Sequence, residues 1–356
     1  MNRPTYLEIN KTKFINNINK IKEYVGEKEL MPVIKANGYG TYINKCIDIV
    51  NMFNIVAVAR VDEAIELRNI GYNGEIFLLN QASILELDDI YKYDITIGIS
   101  DITFIKSITN PVNCHLEIET GMNRTGVKVK DLDTVIDIIN NNPNINICGI
   151  YTHFSSADDS SDYTNYQINN FREAYNKLKS IYNLKYVHCS ASNGLMNYKI
   201  DFTNLVRPGL IMYGYETFTG SNNIIPVEAI ATLKSQITFL KEVDEGEAIS
   251  YSRRYITDST RRIATIPIGY ADGLRRCMTN TGYVLVNNTK CKIVGSVCMD
   301  SCMIDVTNVD CNVGDTVYIF DNKNITLEDI ANIYNTINYE VLCTISDRIK
   351  RKFIEE

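Results

Sequence analysis

From residue 8 to about 225, short apolar runs alternate with longer stretches whose apolar residues recur at helical spacing. The runs at 30–35 (LMPVIK), 54–59 (NIVAVA), 75–79 (EIFLL), 94–99 (DITIGI), 113–118 (NCHLEI), 147–152 (ICGIYT), 185–189 (KYVHC) and 204–207 (NLVR) predict strands. They are too short for helices and rich in β-branched residues. Between them, VDEAIELRNIGY and NYQINNFREAYNKLKSIY carry a helical period. Eight strands alternating with helices predict an α/β chain whose first part is a (β/α)8 TIM-type barrel.

After about residue 226 the pattern changes. VEAIATLKSQITFLKEV, RRIATIPIGY, YVLVNNTKCKIVGSV, CMIDVTNV and DTVYIF read as successive strands separated by turn residues. ITLEDIANIYN is the one clear late helix, with Thr326 as its cap. The expected domains are 1–226, a barrel, and 227–356, a mainly β domain, with residues 1–8 able to pack with the second.

In such a barrel, chemistry sits at the carboxyl ends of the strands. Lys35, Arg124, His153, Ser192 and Arg207 all fall there. Lys35 ends an apolar strand and precedes Ala36-Asn37-Gly38-Tyr39-Gly40. A lysine so placed starts partly buried, where desolvation frees its amine as a nucleophile for a carbonyl cofactor. A lone lysine would more often be a snorkelling surface residue. Here the flanking glycines, which permit a tight turn, outweigh that reading.

Composition changes the picture little. The 356 residues are 45% hydrophobic and 22% charged, ordinary for a globular chain. The net charge of −7 argues against a nucleic-acid or anionic-membrane partner. No stretch approaches the length of a membrane span and the start lacks the apolar run of a signal peptide. The 10 cysteines show no paired metal spacing and read as reduced core residues of a cytoplasmic protein, with no metal expected. A sugar or metal enzyme on a barrel finds no carboxylate pair or His/Asp cluster to support it.

The segment VIKANGYG at 33–40 resembles the lysine motif of the alanine racemase family, and the likeness continues in order. It includes ETGMNRTG at 119–126, YTHFSSAD at 151–158, VRPGLIMYG at 206–214, ISYSRRY at 249–255, IGYADGLRR at 268–276, VCMDSCMIDV at 297–306 and EVLCTISDR at 340–348. The resemblance implies an amino-acid racemase, most simply one supplying D-alanine for the bacterial cell wall. Lys35 would carry pyridoxal 5'-phosphate and act as one base, and Tyr251 as the other. A phenol needs help to ionise near neutrality, and a Tyr251–His153–Arg207 chain would supply it. In isolation Tyr251 is only one of 23 tyrosines.

By the same resemblance Arg207 faces the cofactor's ring nitrogen, and Tyr39, Ser192, Gly209, Leu210 and Tyr270 contact its phosphate. Arg124 lies near the cofactor and the substrate, and Met299, followed by Asp300, lies beside the substrate carboxylate. His188 is expected to support the barrel core, and His115 is given no role. The family's way of completing its site implies a head-to-tail homodimer with shared active sites and a small amino acid as substrate.

The chain departs from the family pattern at several positions. Many relatives place a carbamylated lysine seven positions before the equivalent of Arg124, where this chain has Glu117, a candidate permanent carboxylate. Asp347 stands where a tyrosine is usual, so a substrate-binding role there opens serine, lysine, ornithine or arginine as alternative substrates. Ser296 and Ala191 replace a usual arginine and asparagine, while Arg276 and Asp158 are retained. An amino-acid decarboxylase and a non-catalytic pyridoxal-phosphate carrier fit less well. Decarboxylases have other β-domain signatures, and single-barrel carriers lack the second domain that holds Tyr251.

Overall fold

The computed structural model describes residues 3–158, 162–215 and 225–355. They divide into two compact units. One contains Ile15–Gly38 and Tyr42–Val227, and the other contains Met1–Phe14, Tyr39–Thr41 and Glu228–Glu356.

Strands are numbered along the chain. β1 is Tyr6–Asn10, β2 Glu29–Leu30, β3 Ile55–Val58, β4 Glu75–Leu78 and β5 Thr96–Ile99. β6 is Val112–Glu119, β7 Val127–Lys128, β8 Ile145–Tyr151, β9 Tyr186–His188 and β10 Leu205–Val206. In the first unit β2-β10-β9-β8-β6-β5-β4-β3 are neighbours in that order. Every pairing among them is parallel, and one parallel bridge between Val33 and Ala57 joins the two end strands. The result is an eight-stranded barrel closed by a single bridge.

Each of the eight apolar runs overlaps one of these strands. β3 (IVAV) and β5 (TIGI) are buried at every position. Barrel strands are covered on both faces, so they read as continuous apolar runs rather than as alternations. The helix Val61–Asn69 turns Val61, Ala64 and Leu67 inward and places Asp62 and Glu63 in its first turn, where the helix dipole favours acids.

The second unit adds β11 Ala231–Gln236, β12 Phe239–Val243, β13 Ala248–Ile249, β14 Tyr255–Ile256 and β15 Arg261–Ile266. It continues with β16 Tyr283–Val286, β17 Thr289–Val294, β18 Cys302–Asp305, β19 Thr316–Phe320 and β20 Lys350–Ile354. Nine strands form one sheet in the order β12-β15-β18-β17-β16-β19-β11-β1-β20. β1 lies antiparallel to β11 and parallel to β20. The β16–β17 hairpin turns through Asn287 (φ 45) and Asn288 (φ 63), two residues that accept the left-handed conformation a tight hairpin demands.

Thr326 caps the helix Leu327–Tyr334, accepting from the Asp329 N–H at 3.0 Å while the Asp329 carboxylate accepts from the Thr326 N–H at 2.8 Å. A second helix, Asn338–Cys343, follows it. Six residues are too few to show a period in the sequence.

Candidate active site

Lys35 follows the strand end at Val33 and opens a turn of unusual hand. Ala36 (φ 52), Asn37 (φ 53), Gly38 (φ 59) and Tyr39 (φ 55) are all left-handed. Glycine and asparagine tolerate this, whereas Ala36 and Tyr39 cost roughly 1–2 kcal/mol each. The turn is held by the Gly38 N–H donating to the Ile34 carbonyl at 3.0 Å and the Ala36 N–H donating to Glu63 Oε1 at 2.6 Å. Strain maintained by specific bonds is a common property of functional sites.

Arg207, beyond the end of β10, is 1% exposed and is the hub of the barrel's polar interior. Its Nη2 donates to the carbonyls of Thr152 at 2.8 Å and Cys189 at 3.0 Å. Nη2 also meets His153 Nδ1 at 3.2 Å, and Nη1 meets His188 Nδ1 at 2.7 Å. Among the described residues no acceptor is set against its Nε. A guanidinium only donates, so both histidines accept at Nδ1 and carry their proton on Nε2. His188 Nε2 then donates to His115 Nδ1 at 2.9 Å. His115 is left with its proton on Nε2, a buried atom that meets no partner among the described residues.

All 3 histidines of the chain therefore belong to one ladder ending on Arg207. Burial first, and the Arg207 cation second, push His153 and His115 down to about 3 and hold His188 well below the ordinary imidazole range. For His153 the charges of Arg124 and Lys35 act in the same direction. Room for the ladder comes from a glycine, since a Cβ at Gly149 would lie 2.6 Å from the His115 ring. The face of His188 stacks on Tyr151, with centroids 5.2 Å apart. Sequence reasoning gave His188 only a core role and His115 none. The available signal was that each of the 3 histidines lies in a barrel strand or just past its end.

Ser192 opens the helix after β9, and its hydroxyl oxygen accepts the N–H of Gly209 at 3.1 Å and of Ile211 at 3.4 Å. Its own O–H stays available to donate. Leu210 begins a short turn and so has an N–H of the kind that finds no partner inside it. Glu117, on β6, is 5% exposed and accepts the Thr125 hydroxyl at 2.9 Å. Burial raises its carboxyl, opposed by Thr125, Tyr151 and Arg124. Glu117 thus faces the barrel interior, and Arg124 is itself exposed. Lys35, Arg124, His153, Ser192, Arg207, Gly209 and Leu210 all follow barrel strands at their carboxyl ends.

Tyr39, Tyr251, Tyr270, Met299 and Asp347 belong to the other unit. Tyr39 is buried, with its ring tilted on Tyr339 at 6.0 Å. Tyr251 is at the tip between β13 and β14, where Ser250 (φ 65), Ser252 (φ 61) and Arg253 (φ 48) are left-handed. Hydrogen bonds lace this loop to two others. Ser296 Oγ donates to the Tyr251 carbonyl at 2.9 Å, Tyr270 N–H to the Cys298 carbonyl at 3.0 Å, and Ala271 N–H to the Met299 carbonyl at 3.0 Å. The Ser346 N–H reaches the Asp272 carbonyl at 3.2 Å, which brings in the Asp347 loop. Asp300 pairs with Arg348 at 2.6 Å. Tyr251 is 71% exposed, Met299 52% and Tyr270 42%, and Asp347 is exposed too.

Known proteins resemble this chain in sequence and fold along its whole length. Residues 9–217 match the family model for the alanine racemase N-terminal domain, and residues 230–353 match that for its C-terminal domain. Alanine racemase 2 of Caldanaerobacter subterraneus subsp. tengcongensis is 35% identical over 99% of this chain and 95% of its own. The structure of alanine racemase from Clostridium difficile 630 superposes with a TM-score of 0.94 at 33% identity, over 100% of this chain and 97% of that one. A structure of alanine racemase from Bartonella henselae with covalently bound pyridoxal phosphate gives a TM-score of 0.88 at 26% identity, over 99% of this chain and 100% of that one. This chain belongs to the alanine racemase family.

Proposed function

We propose that the protein is a pyridoxal-phosphate-dependent racemase that interconverts L- and D-alanine with two bases, Lys35 on one face of the α-carbon and Tyr251 on the other. The observation that supports this best is the cation of Arg207, buried at the barrel's carboxyl end and ringed by neutral imidazoles. The donor set there fits the cofactor. Lys35 offers an amine for its aldehyde, Arg207 a fixed cation for its ring nitrogen, and the Ser192 O–H with the Leu210 N–H a cradle for its phosphate, which the Gly209 N–H joins by exchanging Ser192 Oγ for a phosphate oxygen. Tyr39 and Tyr270 are further phosphate contacts in this reading. When bound, pyridoxal phosphate supplies an aldehyde that captures amines and a conjugated ring that delocalises charge from the α-carbon.

The chain's own groups do the rest. Arg207 donates a hydrogen bond but does not give up a proton, so a ring nitrogen facing it stays unprotonated, which favours returning the proton to carbon over other outcomes. His153 is held neutral, and in a homodimer with shared sites its Nε2–H is the donor that orients and eases ionisation of the partner subunit's Tyr251 hydroxyl. In such a shared site Arg124 and the partner subunit's Met299 flank the substrate, and the buried Glu117 acts on Arg124 through its charge. Tyr251, Tyr270 and Met299 are large side chains left exposed on one chain, which supports a head-to-tail homodimer in which a partner subunit covers them. No described helix is long and apolar enough to cross a membrane. A cytoplasmic supplier of D-alanine for the cell wall fits this reading.

Asp347 supports a second substrate reading. A carboxylate where the family usually has tyrosine is smaller and charged, which leaves room for serine or a charge partner for a basic amino acid beside alanine. Racemisation of L-alanine, L-serine, L-lysine, L-ornithine and L-arginine, followed by chiral chromatography, decides between them. Alanine turned over far faster than the others is expected. Serine or a basic amino acid in the lead overturns alanine as substrate and leaves the two bases standing. K35A should lose the cofactor's visible absorbance, whereas Y251F should keep it and lose turnover. A colourless wild-type enzyme, or an active Y251F, overturns the two-base mechanism.

A further inference from the structure

Glu63 lies outside every position singled out from the sequence, yet its carboxylate grips the turn that carries Lys35. Oε1 accepts the Ala36 N–H at 2.6 Å, and Oε2 accepts the N–H groups of Ala59 at 2.8 Å and Arg60 at 3.2 Å. One side chain thus ties the carboxyl ends of two adjacent barrel strands, the one before Lys35 and the one before Arg60.

The second pair of bonds is ordinary, since an acid at the third position of a helix often reaches back to the cap. The first is not. Ala36 is the first of four consecutive left-handed residues, and an alanine gains nothing locally from that conformation. A carboxylate accepts at both oxygens and donates nothing, so it can satisfy all three N–H groups at once. Its attachment to Ala36 N–H fixes the peptide that leaves Lys35, and with it the direction in which the Lys35 side chain departs.

We infer that Glu63 is a positioning residue for Lys35. It acts through the backbone, holding the lysine turn in its left-handed form so that the amine meets the α-carbon at a fixed angle. The inference rests on the reading of Lys35 as cofactor-bearing base. Borohydride reduction of the wild-type holoenzyme followed by peptide mapping tests that reading separately, since a label on another lysine removes it whatever Glu63 does.

The test of Glu63 itself uses E63A and E63Q holoenzymes, with E66Q on the exposed face of the same helix as control. Amide hydrogen exchange over residues 33–40 should accelerate in E63A and stay at the wild-type rate in E66Q. Turnover in E63A should fall about 10- to 100-fold, the range expected when a reacting group shifts by about an ångström. E63Q keeps one acceptor oxygen and should fall between E63A and wild type.

The loss should be one-sided. With α-deuterated D- and L-alanine, the isotope effect should rise for the enantiomer whose proton Lys35 removes and fall for the other. Unchanged exchange at 33–40, isotope effects that move together for both enantiomers, or an E66Q variant that matches E63A would each overturn the assignment.

Discussion

Lowering the pH from 8 to 5 should destabilise this protein through its histidines, before its carboxylates matter. An unfolded imidazole titrates near 6.5, whereas His153 and His115 in the fold are pushed down to about 3. The unfolded chain therefore binds protons that the native chain refuses, and stability falls as pH drops through about 6.5. At pH 5 an unfolded imidazole is favoured by about 1.5 pK units of protonation, or about 2 kcal/mol, so the two together withdraw about 4 kcal/mol.

His188, held well below its ordinary value, acts in the same direction. Glu117 opposes slightly, because a carboxyl raised by burial favours the fold as protons are added. A loss of this size is a large share of the roughly 5–15 kcal/mol that stabilises a typical domain. Urea unfolding of the holoenzyme at fixed protein concentration across this range measures it. The imidazole 15N shifts of the native enzyme should show all 3 histidines neutral with the proton on Nε2 down to about pH 5. A native histidine that titrates near 6.5, or a stability flat from pH 8 to 5, refutes the ladder.

Two smaller predictions concern single residues. E117Q should weaken cofactor retention and turnover, because the buried carboxylate whose charge acts on Arg124 becomes a neutral amide. Full activity with full cofactor affinity rules out a role for that charge. T326A removes the cap on Leu327–Tyr334 and should cost about 1 kcal/mol by urea unfolding, with kcat unaltered.

The sequence alone determined a good deal. Barrel strands buried on both faces must be continuous apolar runs, so IVAV and TIGI announce themselves without any neighbour. The lysine after such a strand, and the serine and two arginines after others, are legible because the carboxyl end of a strand is the following residue in the chain. Thr326 is legible because a cap acts within its own turn.

The unanticipated strands β1 and β20 are short and pair with each other across nearly the whole length of the chain. Local pattern carries no information about such pairing. The histidine ladder belongs to the same class. His115 and His188 come from two strands and Arg207 follows a third, and only the side-by-side packing of β6, β8, β9 and β10 puts Nδ1 of one imidazole against Nε2 of the next. Glu63 reads in the sequence as an ordinary first-turn acid, and becomes a clamp on Lys35 only because strands β2 and β3 lie side by side. Sequence fixes which groups exist and what their immediate neighbours require. Contacts between distant segments are chosen by packing, and here that packing set the protonation of the imidazoles and the hand of the lysine turn.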